Sequence, residues 1–562
     1  MSLIIPEGYK VTEEGILKQG KKDAKGMATS PTLICSTNVE ISNVLYNVET
    51  KEISYNISFN GTTIQLTGEE VATRRGILKL AGYGVKITER YANDLSEYLI
   101  QLSVVNTIPT VLMYDTFGWK GDKFVLGNIL YSDTGKEEIV IKSKGTKTVM
   151  DAVHPSGTVA NWIDGGKGLM KYDTQRFCMY TATEPVFLRI LNGNSHCYNF
   201  DGESSRGKTT IVSHAMSMYG NPYDISITNA TTKTNMEVTA YSFNDLPVFY
   251  DDVQEIKGYH EIIDDLVYML SNGKGKGRSN KSITLQGIKQ WKTIALFTSE
   301  APILSDKSKT GEEMRVKEIE GGLGAFDKEA VEVFNDSIKN NYGTFAPLLI
   351  EYIIRHKEAI INKHKEFREI LKTKCNTITN TQEQSKANRF CDMYAITLTA
   401  GYVFEEVYSS NDGEKADYSK IIIEQFDKDC LEKTTVTYTE KGLNFIMGWI
   451  AHHKSYFLKD GTHEFDGYSN PKQYKIYGNI IYKNRDDEIV EYYDIITNHL
   501  TTDMEKAGFD AGRIFSDLKK LGITKTDNGR NTFQTYIEKE KIRVYRIIAP
   551  EYSPPTDNVT TK

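Results

Sequence analysis

The sequence predicts a multidomain α/β protein, and three observations support this prediction. Residues 202–210 form a glycine-rich loop that follows an apolar run and precedes a helical pattern. Two later apolar runs end in polar residues, which is typical of buried parallel strands whose ends carry ligand chemistry. Near the carboxyl terminus, two helical patterns precede a basic hairpin pattern. We therefore expect a β-rich N-terminal module, a phosphate-loop core with a helical lid, and a C-terminal winged helix.

Composition excludes several classes of protein. A net charge of −7 over 562 residues argues against a uniformly basic surface, so any nucleic-acid contact must use local patches. The six cysteines include no Cys-x-x-Cys pair, so neither a zinc ribbon nor a disulfide framework is indicated. We read no secretory leader at the amino terminus and no apolar run of about 18 residues, which predicts a cytoplasmic protein with no membrane partner.

The first module is predicted to span residues 1–150 and to be rich in short strands. Ile53–Phe59 alternates and runs into Asn60-Gly61, a strand that enters a hairpin turn. Tyr98–Val105 and Lys123–Leu126 are interpreted as further strands. Val71–Leu80 is less clear, since a short helix there would contain a central glycine. We expect a scaffold or interaction role for this module.

The loop at residues 202–210 has the pattern Gly-x-x-x-x-Gly-Lys-Thr of a phosphate-binding loop. Its glycines let backbone N–H groups turn toward phosphate oxygens, and the following helix adds its dipole. Lys208 is expected to reach the β- and γ-phosphates and Thr209 to ligate Mg²⁺. The sequence thus predicts a nucleoside triphosphate site, whose other candidate residues are Gly202, Glu203, Ser204, Ser205, Arg206, Gly207 and Thr210.

Polar residues end the two later apolar runs. Leu246–Tyr250 leads into Asp251 and Asp252, of which the first is suited to hold Mg²⁺ through water and the second to activate the attacking water. The alternative is a pair of solvated acids after a strand. The run Ile294–Phe297 ends in Thr298 and Ser299, either of which could orient that water. The predicted core spans residues 151–325.

Two arginines and a basic stretch are further candidates. Arg315 could reach a triphosphate across a subunit boundary, or form a surface salt bridge with acids three residues away on a helix. Arg389 could touch the γ-phosphate from the helical lid predicted over residues 326–434, or be structural. The basic stretch suits DNA phosphates or a neighbouring subunit's nucleotide, unless it is a solvated linker whose flanks form a hairpin. Its cations are Lys274, Lys276, Arg278 and Lys281.

The last predicted module spans residues 435–550. Asp494–Leu500 and Ala511–Leu521 are predicted helices, followed by a hairpin with its turn at Asn528-Gly529. This is a winged-helix pattern, and such domains bind DNA or merely pack against protein. Residues 551–562 are predicted to be a disordered tail. The candidate DNA contacts are Arg513, Lys519, Lys520 and Arg530.

Four segments occur in an order that resembles a known family. They are Gly202–Thr210, Asn244–Asp252, Asn272–Arg278 and Glu312–Arg315. The series is similar to the replicative helicases, of Cch type, that staphylococcal cassette chromosomes encode. These are AAA+ ATPases that resemble the minichromosome-maintenance (MCM) helicases. The match is specific over residues 116–320, looser over the winged helix, and covers little of the first 110 residues.

The resemblance implies an ATP-dependent DNA helicase that serves replication of a mobile genetic element. It implies a hexameric ring with ATP at subunit boundaries and DNA through the centre. Whether accessory replication proteins act with it stays open. Lys208, Thr209 and the two acids become one half of the site, and Arg315 becomes the arginine finger of the other half. Many relatives have Asp-Glu where this chain has Asp251-Asp252, so the catalytic base stays open between Asp252 and Glu255.

Three other functions remain open at this stage. The first is an AAA+ remodeller of a protein complex, and the second is a nucleotide-gated DNA-binding or loading factor without strand separation. The third is a helicase–primase, which ranks low because the N-terminal region lacks a convincing acidic polymerase cluster.

Overall fold

A computed structural model gives the fold of this chain. Its described residues form two compact units, of which the first lies within Met1–Ile303 and Arg315–Cys430 and the second within Leu304–Met314 and Leu431–Lys562. Within the described residues, no helix has the length and apolarity needed to cross a bilayer. The described ranges are 3–20, 29–142, 147–202, 207–227, 233–253, 259–275, 289–300, 302–303, 314–320, 327–376, 381–432, 438–460, 475–484, 489–507, 509–527 and 529–549.

The amino-terminal part of the first unit consists mainly of short strands in three sheets. The sheet orders are β1-β2-β3, β12-β7-β4-β5-β6 and β11-β10-β9-β8. The strands are β1 (Tyr9–Thr12), β2 (Gly15–Lys18), β3 (Thr32–Cys35), β4 (Glu40–Asn47), β5 (Ile53–Phe59), β6 (Thr62–Thr67), β7 (Thr110–Tyr114), β8 (Gly118–Lys120), β9 (Lys123–Leu126), β10 (Ile129–Ser132), β11 (Gly135–Glu138) and β12 (Val140–Ile141). The helices are α1 (Gly68–Val71), α2 (Arg74–Ile77) and α3 (Ala92–Val105).

Two sequence predictions in this region have opposite outcomes. The hairpin at Asn60-Gly61 is confirmed, because β5 and β6 pair antiparallel across these two residues, which both have positive φ. The predicted strand over Tyr98–Val105 is wrong, since these residues form the second half of α3. The buried residues Leu95, Leu99 and Leu102 of α3 recur at helical spacing, but the mostly apolar run over Tyr98–Val105 makes this spacing hard to recognise in the sequence.

The middle of the first unit alternates helices with parallel strands. The order of its sheet is β14-β15-β13-β16. The strands are β13 (His196–Asp201), β14 (Val248–Tyr250), β15 (Ile294–Ser299) and β16 (Val316–Glu320). The helices are α4 (Lys147–Asp151), α5 (Val159–Gly166), α6 (Asp173–Thr183), α7 (Pro185–Leu188), α8 (Lys208–Met216), α9 (Pro222–Ile225), α10 (Lys233–Ser242) and α11 (Tyr259–Asn272).

All four strands of this sheet run parallel, and β13, β14 and β15 are buried along nearly their whole length. Parallel strands present their carboxyl ends at one edge of the sheet. The ends of β13, β14 and β15 therefore meet there. The alternation of Tyr223–Thr228 in the sequence predicts a strand, but Pro222–Ile225 is helical and Ile227 makes a single bridge, to Tyr250 of β14.

A close contact joins β8 to the segment before β14. The Trp119 amide donates to Asp245 Oδ2 at 3.0 Å, and the Trp119 indole donates to the carbonyl oxygen of Val186 at 2.8 Å. Gly118 has φ +90°, and a Cβ there would collide with the backbone oxygen of residue 244. Burial raises the pKa of the Asp245 carboxyl above its ordinary value, although the Arg189 guanidinium opposes this shift. Only glycine fits this contact.

Long helices complete the first unit. They are α12 (Lys328–Ser337), α13 (Ala346–Cys375), α14 (Thr381–Ser409) and α15 (Tyr418–Asp427). The buried Glu405 of α14 accepts from Arg176 and Tyr180 of α6, each at 2.7 Å, which ties α14 to the middle of the unit. Cys375 and Cys391 form a disulfide between α13 and α14, a pairing that the scattered cysteines did not indicate.

The second unit packs helices against one sheet. The sheet order is β17-β18-β19-β22-β20, and β21 also pairs with β22. The helices are α16 (Tyr438–His452), α17 (Thr497–Lys506) and α18 (Ala511–Lys520). The strands are β17 (Phe457–Lys459), β18 (Gly478–Asn484), β19 (Ile489–Ile496), β20 (Thr524–Lys525), β21 (Phe533–Ile537) and β22 (Glu540–Ile548).

Two predictions for this unit need correction. Asp494 begins no helix, because it lies in β19, where its carboxylate receives two 2.6 Å hydrogen bonds from the buried Arg546 of β22. The second concerns the hairpin. Its two predicted arms contain β20 and β21, which each pair with β22, and the two-residue turn between β21 and β22 lies at Glu538-Lys539, both with positive φ. Asn528 of the predicted turn is outside the described residues.

The contact of Gly118 can be tested against a matched glycine. Gly121 also has positive φ but has open space where a Cβ would lie. We expect Gly121→Ala to cost about 1 kcal/mol of local stability, from the backbone alone. Gly118→Ala adds the collision with residue 244 and should cost roughly 1–3 kcal/mol more. Hydrogen exchange of the amides in residues 117–126 measures the difference, and equal exchange in both variants would contradict this account.

Candidate functional site

The glycine-rich loop leaves β13 and enters α8 at the carboxyl edge of the parallel sheet. Gly202 and Gly207 have φ of +145° and +80°, values that side-chain-bearing residues rarely adopt. Lys208 is the first residue of α8, and its ammonium donates to the carbonyl oxygen of Gly202, across the loop. Thr210 lies in the same first turn, half-buried. Glu203, Ser204, Ser205 and Arg206 lie outside the described residues.

One carboxylate connects the loop helix to the two neighbouring strands. Asp251 follows β14, and its Oδ1 accepts from the Thr209 hydroxyl at 3.0 Å. The same oxygen accepts from the Thr298 hydroxyl, at the end of β15, at 2.6 Å. The structure thus brings Thr209, Asp251 and Thr298 together, as parallel strands with adjacent carboxyl ends allow.

Asp252 adopts a strained backbone beside this cluster. Its φ is +48°, and its amide donates to the Thr298 hydroxyl at 2.9 Å. A non-glycine residue in this region costs on the order of 1–3 kcal/mol, so surrounding contacts must hold it there. The Thr298 hydroxyl therefore fixes both acids, by accepting from the amide of one and donating to the carboxylate of the other.

Thr298 and Ser299 point to opposite faces of β15, as adjacent strand residues do. Ser299 is buried and exchanges hydrogen bonds of 2.8 and 3.0 Å with the side chain of Asn199 on β13. That amide also donates to Glu318 of β16 at 2.6 Å. Of the two residues that the sequence proposed, Thr298 contacts the acids. Sequence reasoning missed Asn199 and Glu318, although a polar residue inside the apolar strand β13 was a usable signal.

Arg315 lies at the opposite edge of the sheet from the glycine-rich loop. Its carbonyl oxygen accepts from the Cys197 amide at 2.8 Å, at the start of β13, while the loop follows Asp201 at the strand's end. Four residues of strand separate these positions by about 13 Å. The segment is a strand from Val316 onward, so Arg315 and Glu318 do not share a helix, whereas Glu312 lies outside the described residues. The Arg315 guanidinium lies 5.0 Å from the centre of the Tyr268 ring.

Arg389 lies on α14 and is exposed. The next residue, Phe390, is buried, and its ring centre lies 3.1 Å from the ammonium of the buried Lys317 on β16. This contact brings the start of α14 against the strand that follows Arg315.

The basic stretch begins at the same edge as Arg315. Exposed Lys274 pairs antiparallel with Gln290, and the Gly275 amide donates to the carbonyl oxygen of Lys289 at 2.9 Å. The flanks therefore pair as a hairpin, as the sequence suggested, and β15 follows directly. Lys276, Arg278 and Lys281 lie outside the described residues, as does Glu255.

The four cations proposed for DNA in the second unit all lie near α18. Arg513 and Arg530 are exposed. The Lys519 ammonium donates to the carbonyl oxygen of Arg530 at 2.8 Å, and Lys520 forms an ion pair with Asp517 at 2.8 Å. Lys519 and Lys520 thus each have a partner within the unit.

His214 of α8 is a core residue despite its position below the loop. It packs between Trp162 and Phe334, with ring centres 5.3 and 4.8 Å away. Burial lowers its pKa to about 3, so the imidazole is neutral at ordinary pH. It is therefore not a candidate for proton transfer at the site.

The carboxyl edge fits a magnesium-bound triphosphate in chemical type. Mg²⁺ usually takes one or two protein oxygens and completes its shell with waters and phosphates. The Thr209 hydroxyl and the Asp251 carboxylate are such oxygens and already lie within hydrogen-bond distance of each other. The ammonium of Lys208 and the first amides of α8 supply positive charge beside them.

Comparisons with known proteins agree with this architecture. The solved structure described as "SCCmec type IV Cch - active helicase" has a TM-score of 0.69 and 18% identity, covering 97% of this chain and 98% of that one. A structure of the NrS-1 C-terminal region has 13% identity and covers 91% and 96%, but its TM-score of 0.32 carries no argument. No curated protein matches the chain.

Two family models match the sequence. One, described as "Cch helix turn helix domain", matches residues 437–551. The resemblance to the Cch-type helicases is thus confirmed, in a mixed α/β multidomain fold with a Cch helix-turn-helix domain at its end. The other model, described as "Domain of unknown function (DUF927)", matches residues 9–290, slightly more than half of the 562 residues. The chain belongs to the DUF927 family.

Proposed function

We propose that this protein is an ATP-dependent DNA helicase of the AAA+ class, which works as a hexameric ring in the replication of a mobile genetic element. The observation that carries the proposal is the cluster of Thr209, Asp251 and Thr298 beside the glycine-rich loop. The shared fold with a solved protein described as an active helicase supports it, as does the helix-turn-helix match.

The proposed nucleotide half of the site uses α8 and β14. Lys208 and the amides of the loop bind the β- and γ-phosphates of ATP. Thr209 and Asp251 hold Mg²⁺, which when bound neutralises charge on those phosphates. In this proposal the Lys208–Gly202 hydrogen bond is exchanged for one to a phosphate oxygen.

The proposed hydrolytic half uses the hydroxyl of Thr298. By binding both acids it keeps Asp251 on the metal side and directs Asp252 toward the attacking water. Asp252 accepts the proton of that water as general base. An arginine stabilises the negative charge that develops on the transferred phosphate. Within one chain, about 13 Å of strand separates Arg315 from the glycine-rich loop. Arg315 therefore acts on the ATP of a neighbouring subunit, and Arg389 of the helical lid contacts the γ-phosphate.

DNA is proposed to bind at two places. The basic hairpin that begins at Lys274 precedes β15 at the edge of Arg315, so nucleotide state and DNA contact involve the same strands. Its proposed contacts are Lys274, Lys276, Arg278 and Lys281. The winged helix, with Arg513, Lys519, Lys520 and Arg530, is the second. The proposed boundaries of the ATPase core, lid and winged helix are near residues 151, 326 and 435.

Unwinding of a forked DNA duplex tests the proposal. We expect Lys208→Ala and Arg315→Ala each to abolish unwinding, the latter with a loss of about 10³-fold or more in ATP turnover. A mixture of the two variants should regain activity, because some boundaries in a mixed ring join an intact Lys208 to an intact Arg315. Lys339→Ala and Arg355→Ala, at exposed residues outside the site, are the controls.

Two results would contradict this proposal in different ways. ATP turnover without unwinding on any fork or tail would favour a remodeller or loader. Full ATP turnover by Arg315→Ala would remove the subunit-boundary role of that residue.

Thr298 and Ser299 form a second matched pair. Thr298→Val keeps the shape of the side chain but releases both acids, so we expect ATP turnover to fall about 10²-fold. Ser299→Ala removes the contact with Asn199 but leaves the hydrogen bonds of Thr298 to both acids, so it should change turnover by less than about threefold. Turnover is measured at saturating ATP, and ATP affinity separately. A larger effect of Ser299→Ala would reverse the assignment.

The catalytic base can be identified by isosteric amides. Asp252→Asn should lower turnover by about 10²- to 10⁴-fold while ATP binding persists, since only proton acceptance is lost. Asp251→Asn should instead weaken Mg²⁺-dependent ATP binding. Glu255→Gln is the control, and a collapse of turnover in that variant alone would transfer the base to Glu255.

A further inference from the structure

A polar cleft lies in the second unit, and its lining includes none of the four cations that the sequence singled out there. It has a volume of about 390 Å³ and opens between the first turns of α17, Thr532 just before β21, and β22. We name it the hydroxyl cleft. Its lining residues are Thr497, Asn498, Thr501, Thr502, Thr532, Arg543 and Tyr545.

The chemistry of the hydroxyl cleft suits a phosphodiester group. Five of its seven side chains carry a hydroxyl, which donates to phosphate oxygens without adding charge. Arg543 adds one guanidinium, whose planar fork matches phosphate geometry. Its hydrogen bonds to Asp527 at 3.3 Å and Thr532 at 3.1 Å use only Nη1. The side chains of Arg543 and Asp527 are each about one-third exposed, so their ion pair contributes little to stability. Arg543 can therefore exchange Asp527 for a phosphate.

The face that forms the cleft continues along the hairpin of β21 and β22. The pairing sets Gln534 opposite Arg543 and Tyr536 opposite Lys541. Cross-strand partners share a face, so these four side chains extend the cleft toward the turn. The other face packs its apolar residues, including Ile537, into the core. Tyr536 is 66% exposed, which leaves its ring available for stacking.

The alternative surface on α18 is less suited to an anion. Lys519 and Lys520 have the intramolecular partners described above, and the acids Asp510 and Asp517 lie on or next to the same helix. The cleft face instead combines hydroxyls, two cations and an aromatic ring. A carboxylate, Asp527, borders it only through Arg543.

We propose that the hydroxyl cleft binds the sugar–phosphate backbone of DNA where duplex opens into single strand. One phosphodiester lies on Arg543 and the threonine hydroxyls, Lys541 contacts the next, and Tyr536 stacks on an unpaired base. The choice of DNA as the ligand rests on the proposed function. The binding itself requires no ATP and can be measured apart from it.

Binding of the full-length chain to a fluorescein-labelled forked duplex, without nucleotide, tests this inference. Arg543→Gln and Asn498→Asp, which adds a negative charge without changing shape, should each weaken binding about tenfold. Arg543→Gln should also lower the slope of log affinity against log salt by about one phosphate contact. Asn444→Asp on α16 and Arg355→Gln on α13, both exposed and outside every proposed DNA contact, are matched controls that should stay within about twofold of wild type.

Tyr536 is tested by a comparison of two DNAs. Tyr536→Ala should weaken binding to the fork about five- to tenfold and leave the affinity for a blunt duplex unchanged. Tyr536→Phe, which keeps the ring, should bind both DNAs with wild-type affinity. Thermal unfolding midpoints check that each variant is folded.

Wild-type affinity and salt slope in both Arg543→Gln and Asn498→Asp would overturn the inference, as would an equal loss of affinity in the control Arg355→Gln. An ATPase-dead or non-unwinding wild-type chain would defeat the proposed function but leave these binding differences intact. The two failures are therefore distinguishable.

Discussion

A single carboxylate oxygen organises the candidate site. Oδ1 of Asp251 accepts hydrogen bonds from Thr209 and Thr298, and so connects the loop helix α8 to β14 and β15. Three segments that are far apart in sequence thereby meet within about one hydrogen-bond length of each other. This meeting depends on the sheet order, in which β15 lies between the loop strand β13 and the acid strand β14. A threonine at the end of the middle strand can touch both neighbours.

The direction of the parallel sheet separates two kinds of chemistry. The carboxyl edge carries the loop, the acids and Thr298. The amino edge carries Arg315 and the paired flanks of the basic stretch, near Lys274. If Arg315 takes part in hydrolysis, a single chain cannot bring all the required residues to one nucleotide, because Arg315 and the glycine-rich loop lie at opposite edges of the sheet. The proposed mechanism therefore requires an oligomer, whereas the fold by itself does not imply one. Side-chain contacts of Asn199 with Ser299 and Glu318 join the neighbouring strands β15, β13 and β16 between these edges.

Local signals predicted the loop region well, because phosphate loops are encoded by adjacent residues. The glycines that need positive φ, the lysine at the start of α8 and the buried strands all follow from short-range patterns. Which of Thr298 and Ser299 faces the acids was not predictable, since the answer depends on the phase of β15. The strand predicted at Tyr98–Val105 failed for a related reason. An unbroken apolar run shows no clear helical or strand periodicity. The packing of α3 against α1 and the sheets favours the helix.

The second unit shows how distant contacts override local preference. Asp494 resembles a helix start, yet a buried arginine 52 residues later in the chain holds it in β19. Asn528-Gly529 is a strong hairpin signal, yet β22 pairs with both β20 and β21, and the tight turn falls at Glu538-Lys539. That shift has a consequence for function. It places Arg543 and Tyr536 on the face of the hairpin that lies beside the start of α17 at Thr497. The winged-helix pattern in the sequence would instead indicate α18 as the element that binds DNA. The fold defines the scaffold, but the polar residues on each face determine which one can bind DNA.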